Sequence, residues 1–215
     1  MRQFPFPDRI TARSELAQDV LYKRIPEADH ERICDEAWQF GVEAARSLLA
    51  NYPNCNIAEI AEKDGLKIVR ERIDKVSAGL RFFSEYFPKK NSIHMYLLSI
   101  RLFAKHNELT EEEAEELILA HEYFHYLEEN QIGITSKRYT IPRISIGPIN
   151  IGQTGIASLS EIAAHGFART YWEMLHGSIT SQSSRVVNHN TSLNARLKQG
   201  KYEADKMLGF LFGKR

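Results

Sequence analysis

Ala120-His121-Glu122-Tyr123-Phe124-His125 is the stretch on which the reading of this 215-residue chain turns. On a helix, residues four apart share a face. His121 and His125 can therefore offer two imidazoles to one metal ion, while Glu122, one step round, reaches water beside it. This His-Glu-x-x-His pattern points to a metal-dependent hydrolase, and first of all to a peptidase.

The residues before it read as a helix. Thr110 followed three positions later by Glu113 is a capping-box signature, and Glu111, Glu112 and Glu113 suit the positive end of the helix dipole. The helix should start at Thr110. Ala114, Leu117, Ile118, His121, Phe124 and His125 then recur at steps of three and four, which puts both histidines on or beside the buried stripe. The plainer alternative is a pair of core-edge histidines satisfied by hydrogen bonds.

A two-histidine site needs a third protein ligand. The metzincin extension is excluded, because Glu128 and Gln131 stand where it requires glycine and histidine. Beyond Glu128 and Glu129, the next acidic residue or histidine lies in Ser158-Leu159-Ser160-Glu161-Ile162-Ala163-Ala164-His165. This segment reads as a second helix, with Ser158 as cap, Ala163, Phe167, Tyr171 and Leu175 as the apolar stripe, and Gly177 as the stop. Glu161 and His165 sit four apart on one face. Glu161 is the preferred third ligand, with His165 beside it to orient a ligand or the transition state. Two other assignments stay open: Glu161 as the third residue of a Ser158 capping box with His165 on the surface, or His165 as the ligand and Glu161 as the cap. An oxyanion needs a further donor, for which Tyr123, Tyr126, Tyr139 and His165 are candidates; His165 is preferred, since buried aromatics mostly pack.

The pairing of Ala-His-Glu-x-x-His at 120–125 with Glu161-x-x-Ala164-x-x-Phe167-Ala168 resembles the ImmA/IrrE family of cytoplasmic metallopeptidases, of the gluzincin group. The resemblance covers roughly residues 55–175. It implies a zincin-like core, Zn²⁺ held by His121, His125 and Glu161, Glu122 as general base and acid, and cleavage of a regulatory protein such as a transcriptional repressor. The chain departs from the family in the acidic-apolar lead-in Glu115-Glu116-Leu117-Ile118-Leu119 and in Ala163-Ala164-His165 after the last ligand.

Composition fits one enzyme domain: 43% hydrophobic and 26% charged residues can bury a substantial core. A net charge of zero gives no electrostatic footprint for nucleic acid, so direct binding of it is not expected, and Pro88-Lys89-Lys90 reads as a solvated turn. Cys34 and Cys55 have no metal-binding or disulfide-framework spacing and read as free thiols of a reducing compartment. The start lacks the apolar core of a signal peptide and no run approaches a membrane span, so a cytoplasmic protein is expected.

The expected fold is α+β, a single zincin-like domain that is mainly helical with one small antiparallel sheet. Residues 1–24 form an arm with a short amphipathic segment at 15–22. A long helix opened by Pro26 fills 25–53 and buries Ile33, Ala37, Trp38, Val42, Ala45, Leu48 and Leu49. The catalytic core occupies 55–176. It starts with a helix capped by Asn56 and closed by Gly65, then a strand at 66–72 and a hairpin of strands 79–87 and 92–98. In zincins the edge strand beside the active helix pairs with extended substrate, and residues 92–98 hold that place in chain order. Residues 130–157 carry too many glycines and prolines for a long helix, allow one extended segment, and read either as a lid over the site that helps choose substrates or as plain disorder. Residues 178–190 read as a polar linker and 200–212 as a last helix. Two classes of function follow: a zinc peptidase acting on a protein or peptide substrate, or a non-catalytic zincin-like module that binds a regulatory partner.

Overall fold

The capping box at Thr110 is formed in full: the Glu113 amide donates to Thr110 Oγ1 at 3.1 Å and Glu113 Oε2 accepts from the Thr110 amide at 2.8 Å. This comes from a computed structural model that describes residues 4–53 and 55–177. The capped helix, α5, runs Glu111–Leu127 and is buried at every position from Leu117 onwards. A helix enclosed on all sides belongs at the centre of a fold, and the other elements are arranged round it. It passes into a π-helical turn at Glu128–Ile132.

In chain order the helices are α1 (Arg13–Gln18), α2 (Glu27–Asn51), α3 (Ile57–Lys63), α4 (Leu97–His106), α5 and α6 (Ser158–His176). The strands are β1 (Lys67–Glu71), β2 (Lys75–Ser77), β3 (Leu80–Phe82), β4 (Ser84–Phe87), β5 (Ser92–Tyr96), β6 (Thr140–Ile146) and β7 (Ile149–Gly155). The fold is α+β, as expected, but the sheet differs. Instead of one antiparallel sheet there is a mixed three-stranded sheet, in the order β1-β5-β4, with two separate ribbons, β2-β3 and β6-β7. β1 runs parallel to β5, Lys67 facing Ser92 and Glu71 facing Tyr96, whereas β4 runs antiparallel to it, Ser84 facing Met95.

The expected strand at 79–87 is cut at Phe83, which turns into the core and is 4% exposed. Its two halves join different sheets. The expected strand at 92–98 stops at Tyr96, because Ile100, Phe103 and Ala104 bury a helical face and Leu97 already belongs to α4. β5 is also the central strand, so both its edges are occupied and it cannot be the strand that pairs with substrate. Among the described residues the edge strand that packs on α5 is β4, which pairs on one side only.

Pro26 does open α2, whose buried face holds the expected residues together with Cys34 and Gly41; Leu49 is only half-buried. α3 is capped by a complete Asn56–Glu59 box, and Gly65, at φ 75°, provides the left-handed turn into β1. α2 packs along α6 so closely that Gly41 faces the Ala163 carbonyl and Gly166 faces the Trp38 carbonyl with no room for a Cβ.

The amino-terminal segment is part of the core and not a free arm. Phe4, Phe6, Ala12 and Leu16 are buried, and the amphipathic piece is divided between α1 and a 3₁₀ turn at Tyr22–Arg24. Asp19 accepts from the Ser158 amide at 3.0 Å, so α6 is capped by this segment. Ser158 makes no side-chain cap, which removes the Ser158–Glu161 capping box.

Residues 130–157 are not one extended strand. After a 3₁₀ turn at Thr135–Lys137 they form the β6-β7 hairpin, Pro142 facing Gln153, which turns at Gly147-Pro148. The base of the hairpin is fixed by buried Ile141 and Ile156, while Ile144, Ile149 and Ile151 are exposed. The expected linker at 178–190 and helix at 200–212 lie outside the described residues. Among the described residues no helix is long and apolar enough to cross a membrane.

Candidate metal centre

His121 and His125, one turn apart on α5, point their Nε2 atoms at one another across 3.3 Å. Glu161, in the first turn of α6, completes the group. Its Oε2 is 3.3 Å from His121 Nε2 and its Oε1 is 3.7 Å from His125 Nε2. Among the described residues this is the one group of three such side chains whose ligand atoms converge, and it could hold a metal ion. The spacing agrees with that use. In a tetrahedral site with bonds of about 2.0–2.1 Å, ligand atoms stand about 3.3–3.4 Å apart. Both histidines are buried; the Glu161 side chain is 31% exposed, but its Oε2, the atom nearest His121, is itself buried.

The charges are tied to this arrangement. Burial drives the His121 imidazole down from 6.5 to about 3, against the pull of its hydrogen bond to Glu161, so this ring is neutral and able to ligate. Burial also opposes charge on His125, but the Glu161 carboxylate, followed by the hydrogen bond to Glu128, pushes it up to about 10. Burial works against ionised Glu161 too, yet His125 and then His121 hold its carboxyl well below the usual carboxylate range. Both shifts favour an ion pair between Glu161 and His125, and a cation held by these atoms would have to displace the His125 proton.

Glu122 lies one residue on from His121, 3% exposed, with Oε1 accepting from the Ser84 hydroxyl at 2.9 Å. The carboxylate is thereby fixed against the open strand β4. His165 is fully buried, which removes the surface assignment. Its ring centroid is 5.0 Å from that of His121 and 5.4 Å from that of Phe6, and its Nε2 is 3.6 Å from Glu15 Oε1. It is not among the three converging donors, and the geometry favours Glu161 as third ligand. The tyrosines are engaged elsewhere: Tyr123 donates to Asp64 at 2.6 Å, Tyr126 to the Asp64 carbonyl at 3.1 Å, and Tyr139 to Asp29 at 2.8 Å.

Four residues around the centre were not singled out by the sequence. Phe6 and Glu15 arrive from the amino-terminal segment and Ser84 from β4, with no local pattern to announce them. Glu128 did carry a signal. It stands three residues after His125, on the same face of the helix, and its Oε2 lies 3.1 Å from His125 Nδ1. No protein-family model matches the chain, and no curated protein and no solved structure shows significant similarity to it.

Proposed function

We propose that the chain is a zinc-dependent metallopeptidase with a zincin-like fold, of the gluzincin type, that hydrolyses peptide bonds in a protein partner. The observation that carries this reading is the convergence of His121, His125 and Glu161 at 3.3–3.7 Å, with Glu122 held beside them. A structural metal site has no use for that fourth, non-ligating carboxylate. Two imidazoles and a carboxylate suit zinc, and three ligands leave a position open for chemistry.

Bound there, zinc supplies Lewis acidity that polarises a peptide carbonyl and acidifies water. Glu122 accepts the proton of the attacking water and hands it to the departing amine. The Ser84 hydroxyl holds one oxygen of Glu122, which limits the rotation of the carboxylate. His165 packs on His121 and orients that ring. An extended peptide adds to the open edge of β4, so that its backbone runs past Glu122. This edge replaces β5 as the substrate strand. The β6-β7 hairpin, whose base is held by buried Ile141 and Ile156, is the segment read as a lid.

The resemblance to the ImmA/IrrE family makes a regulatory protein, such as a transcriptional repressor, the substrate to look for. Both cysteines are free thiols, which supports a reducing cytoplasmic setting. The test is to incubate zinc-loaded protein with denatured bacterial proteins in ¹⁸O-labelled water and sequence new carboxyl termini by mass spectrometry. Labelled termini with wild type and none with Glu122→Gln are expected. Zinc-loaded wild type that yields no more labelled termini than Glu122→Gln would overturn the peptidase reading.

A further inference from the structure

Glu128 is 4% exposed, and a carboxylate so deeply buried is retained only where its oxygens are occupied. Both are. Oε2 faces His125 Nδ1 at 3.1 Å. Oε1 accepts from the Thr135 amide at 2.7 Å and from the Ser160 hydroxyl at 3.0 Å. Ser160 in turn accepts from the Ser136 amide at 3.2 Å and is the residue before Glu161. One side chain therefore joins the end of α5, the 3₁₀ turn at Thr135–Lys137 and the first turn of α6.

We propose that Glu128 is a positioning residue that sets the ligands on both helices at once, fixing the tautomer and ring angle of His125 while pinning the turn that carries Glu161. The proposal rests on the metal reading given above. An imidazole that ligates through Nε2 must carry its proton on Nδ1, and an acceptor at Nδ1 holds it in that form and plane. Glu161 comes from a different helix, 33 residues further along the chain than Glu128. The two helices also pack through Phe124 and Phe167 and are tied further along by Tyr171 and Glu116, but those contacts lie away from the first turn of α6, where Glu161 sits. Glu128 adds a hydrogen-bonded link at that turn through Ser160, so that changing it disturbs two of the three ligands.

The alternative is that Glu128 is a structural anchor only, and Glu128→Gln separates the two. Glutamine keeps one oxygen to accept from Thr135 and Ser160, but the amide nitrogen then facing His125 is a donor and cannot accept its proton. Ser160→Ala is the companion variant, removing one anchoring bond without touching His125. Zinc affinity is measured by competition with a chromogenic chelator, the ligand field by the visible absorption of the cobalt(II) form, and stability by urea unfolding of metal-free protein. We expect Glu128→Gln to lower zinc affinity about 10–100-fold and to change the cobalt spectrum, and Ser160→Ala to lower affinity less. Zinc affinity within twofold of wild type and an unchanged cobalt spectrum in Glu128→Gln, whatever its stability, would overturn the proposal.

A second measurement needs no variant. In zinc-loaded wild type with ¹⁵N-labelled histidine, NMR should show His125 ligated through Nε2 with a slowly exchanging, downfield Nδ1 proton. Ligation through Nδ1, or an Nδ1 proton in fast exchange with water, would overturn it even if Glu128→Gln fails to fold. Wild type that takes up no zinc would remove the metal reading and this proposal together. Zinc-binding wild type with an indifferent Glu128→Gln would remove the role of Glu128 alone.

Discussion

Replacing Gly41 by alanine should separate the two long helices that frame the centre. A Cβ built on Gly41 would lie 1.9 Å from the Ala163 carbonyl oxygen and 2.8 Å from both the Ala163 carbonyl carbon and the Phe167 amide nitrogen. Real Cβ contacts stay above 3.0 Å, so α2 must withdraw from α6 by at least about 1.1 Å, which is 3.0 less 1.9. All three of these atoms are helix backbone, so no flexible side chain can give way. Overpacking of this kind costs about 1–3 kcal/mol and sometimes more, and a clash confined to backbone belongs at the top of that range. Alanine regains about 1 kcal/mol of helix propensity over glycine, leaving a net loss of about 2 kcal/mol. Urea unfolding of metal-free Gly41→Ala should show that loss, or a Tm lower by about 4–8 °C. Arg46→Ala, on the exposed face of the same helix, should stay within about 0.5 kcal/mol. Because Ala163 is two residues from Glu161, zinc affinity should fall as well. A Gly41→Ala protein as stable as wild type, or more so, would refute the close approach of α2 and α6.

Other consequences can be checked directly. The Tyr171 hydroxyl accepts from the Ile57 amide at 2.9 Å and donates to Glu116 at 2.9 Å, tying α6 to α3 and α5; Tyr171→Phe strands a buried amide and should cost about 1–3 kcal/mol in urea unfolding. Glu122→Gln should bind zinc as wild type does by elemental analysis and lose peptide turnover by about 100-fold or more, since it keeps the ligands and removes the base. In metal-free protein the raised His125 contributes stability that is complete below pH 6.5 and is lost as pH rises towards about 10. The lowered Glu161 contributes above pH 4.5 and is lost as pH falls. Zinc competes with the His125 proton, so the rise in Tm caused by zinc should grow from pH 6.5 to 9; a constant increment would count against the ion pair.

The parts of this molecule that were legible from its sequence are those written in local chemistry. Thr110 and Glu113 cap a helix through atoms three residues apart, Asn56 caps another, and Pro26 and Gly65 impose backbone angles on their own. The histidines share a face because of helical period alone. The rest depends on distant pairings. Nothing local tells β5 that β1 will lie parallel to it, because a parallel pair has no turn to specify its register. The start of α4 was hidden for a different reason: Tyr96 offers no side-chain cap, so the strand reading ran on to Leu98. The cap of α6 comes from Asp19, 139 residues earlier, and a reading confined to neighbours assigns that duty to Ser158. In the centre itself, the spacing prefers Glu161 as ligand but leaves His165, four residues away, as an alternative. What separates them is that Glu161 meets the Nε2 atoms of His121 and His125 while His165 packs against Phe6 and Glu15.

The central claim is that His121, His125 and Glu161 together hold one zinc ion. Elemental analysis of wild type, Glu161→Ala and His165→Ala, purified side by side and dialysed against equal zinc, tests it most directly. About one zinc per wild-type chain is expected, lost on changing Glu161 and retained on changing His165. Full occupancy in Glu161→Ala, or a wild type that cannot be loaded at all, would contradict it.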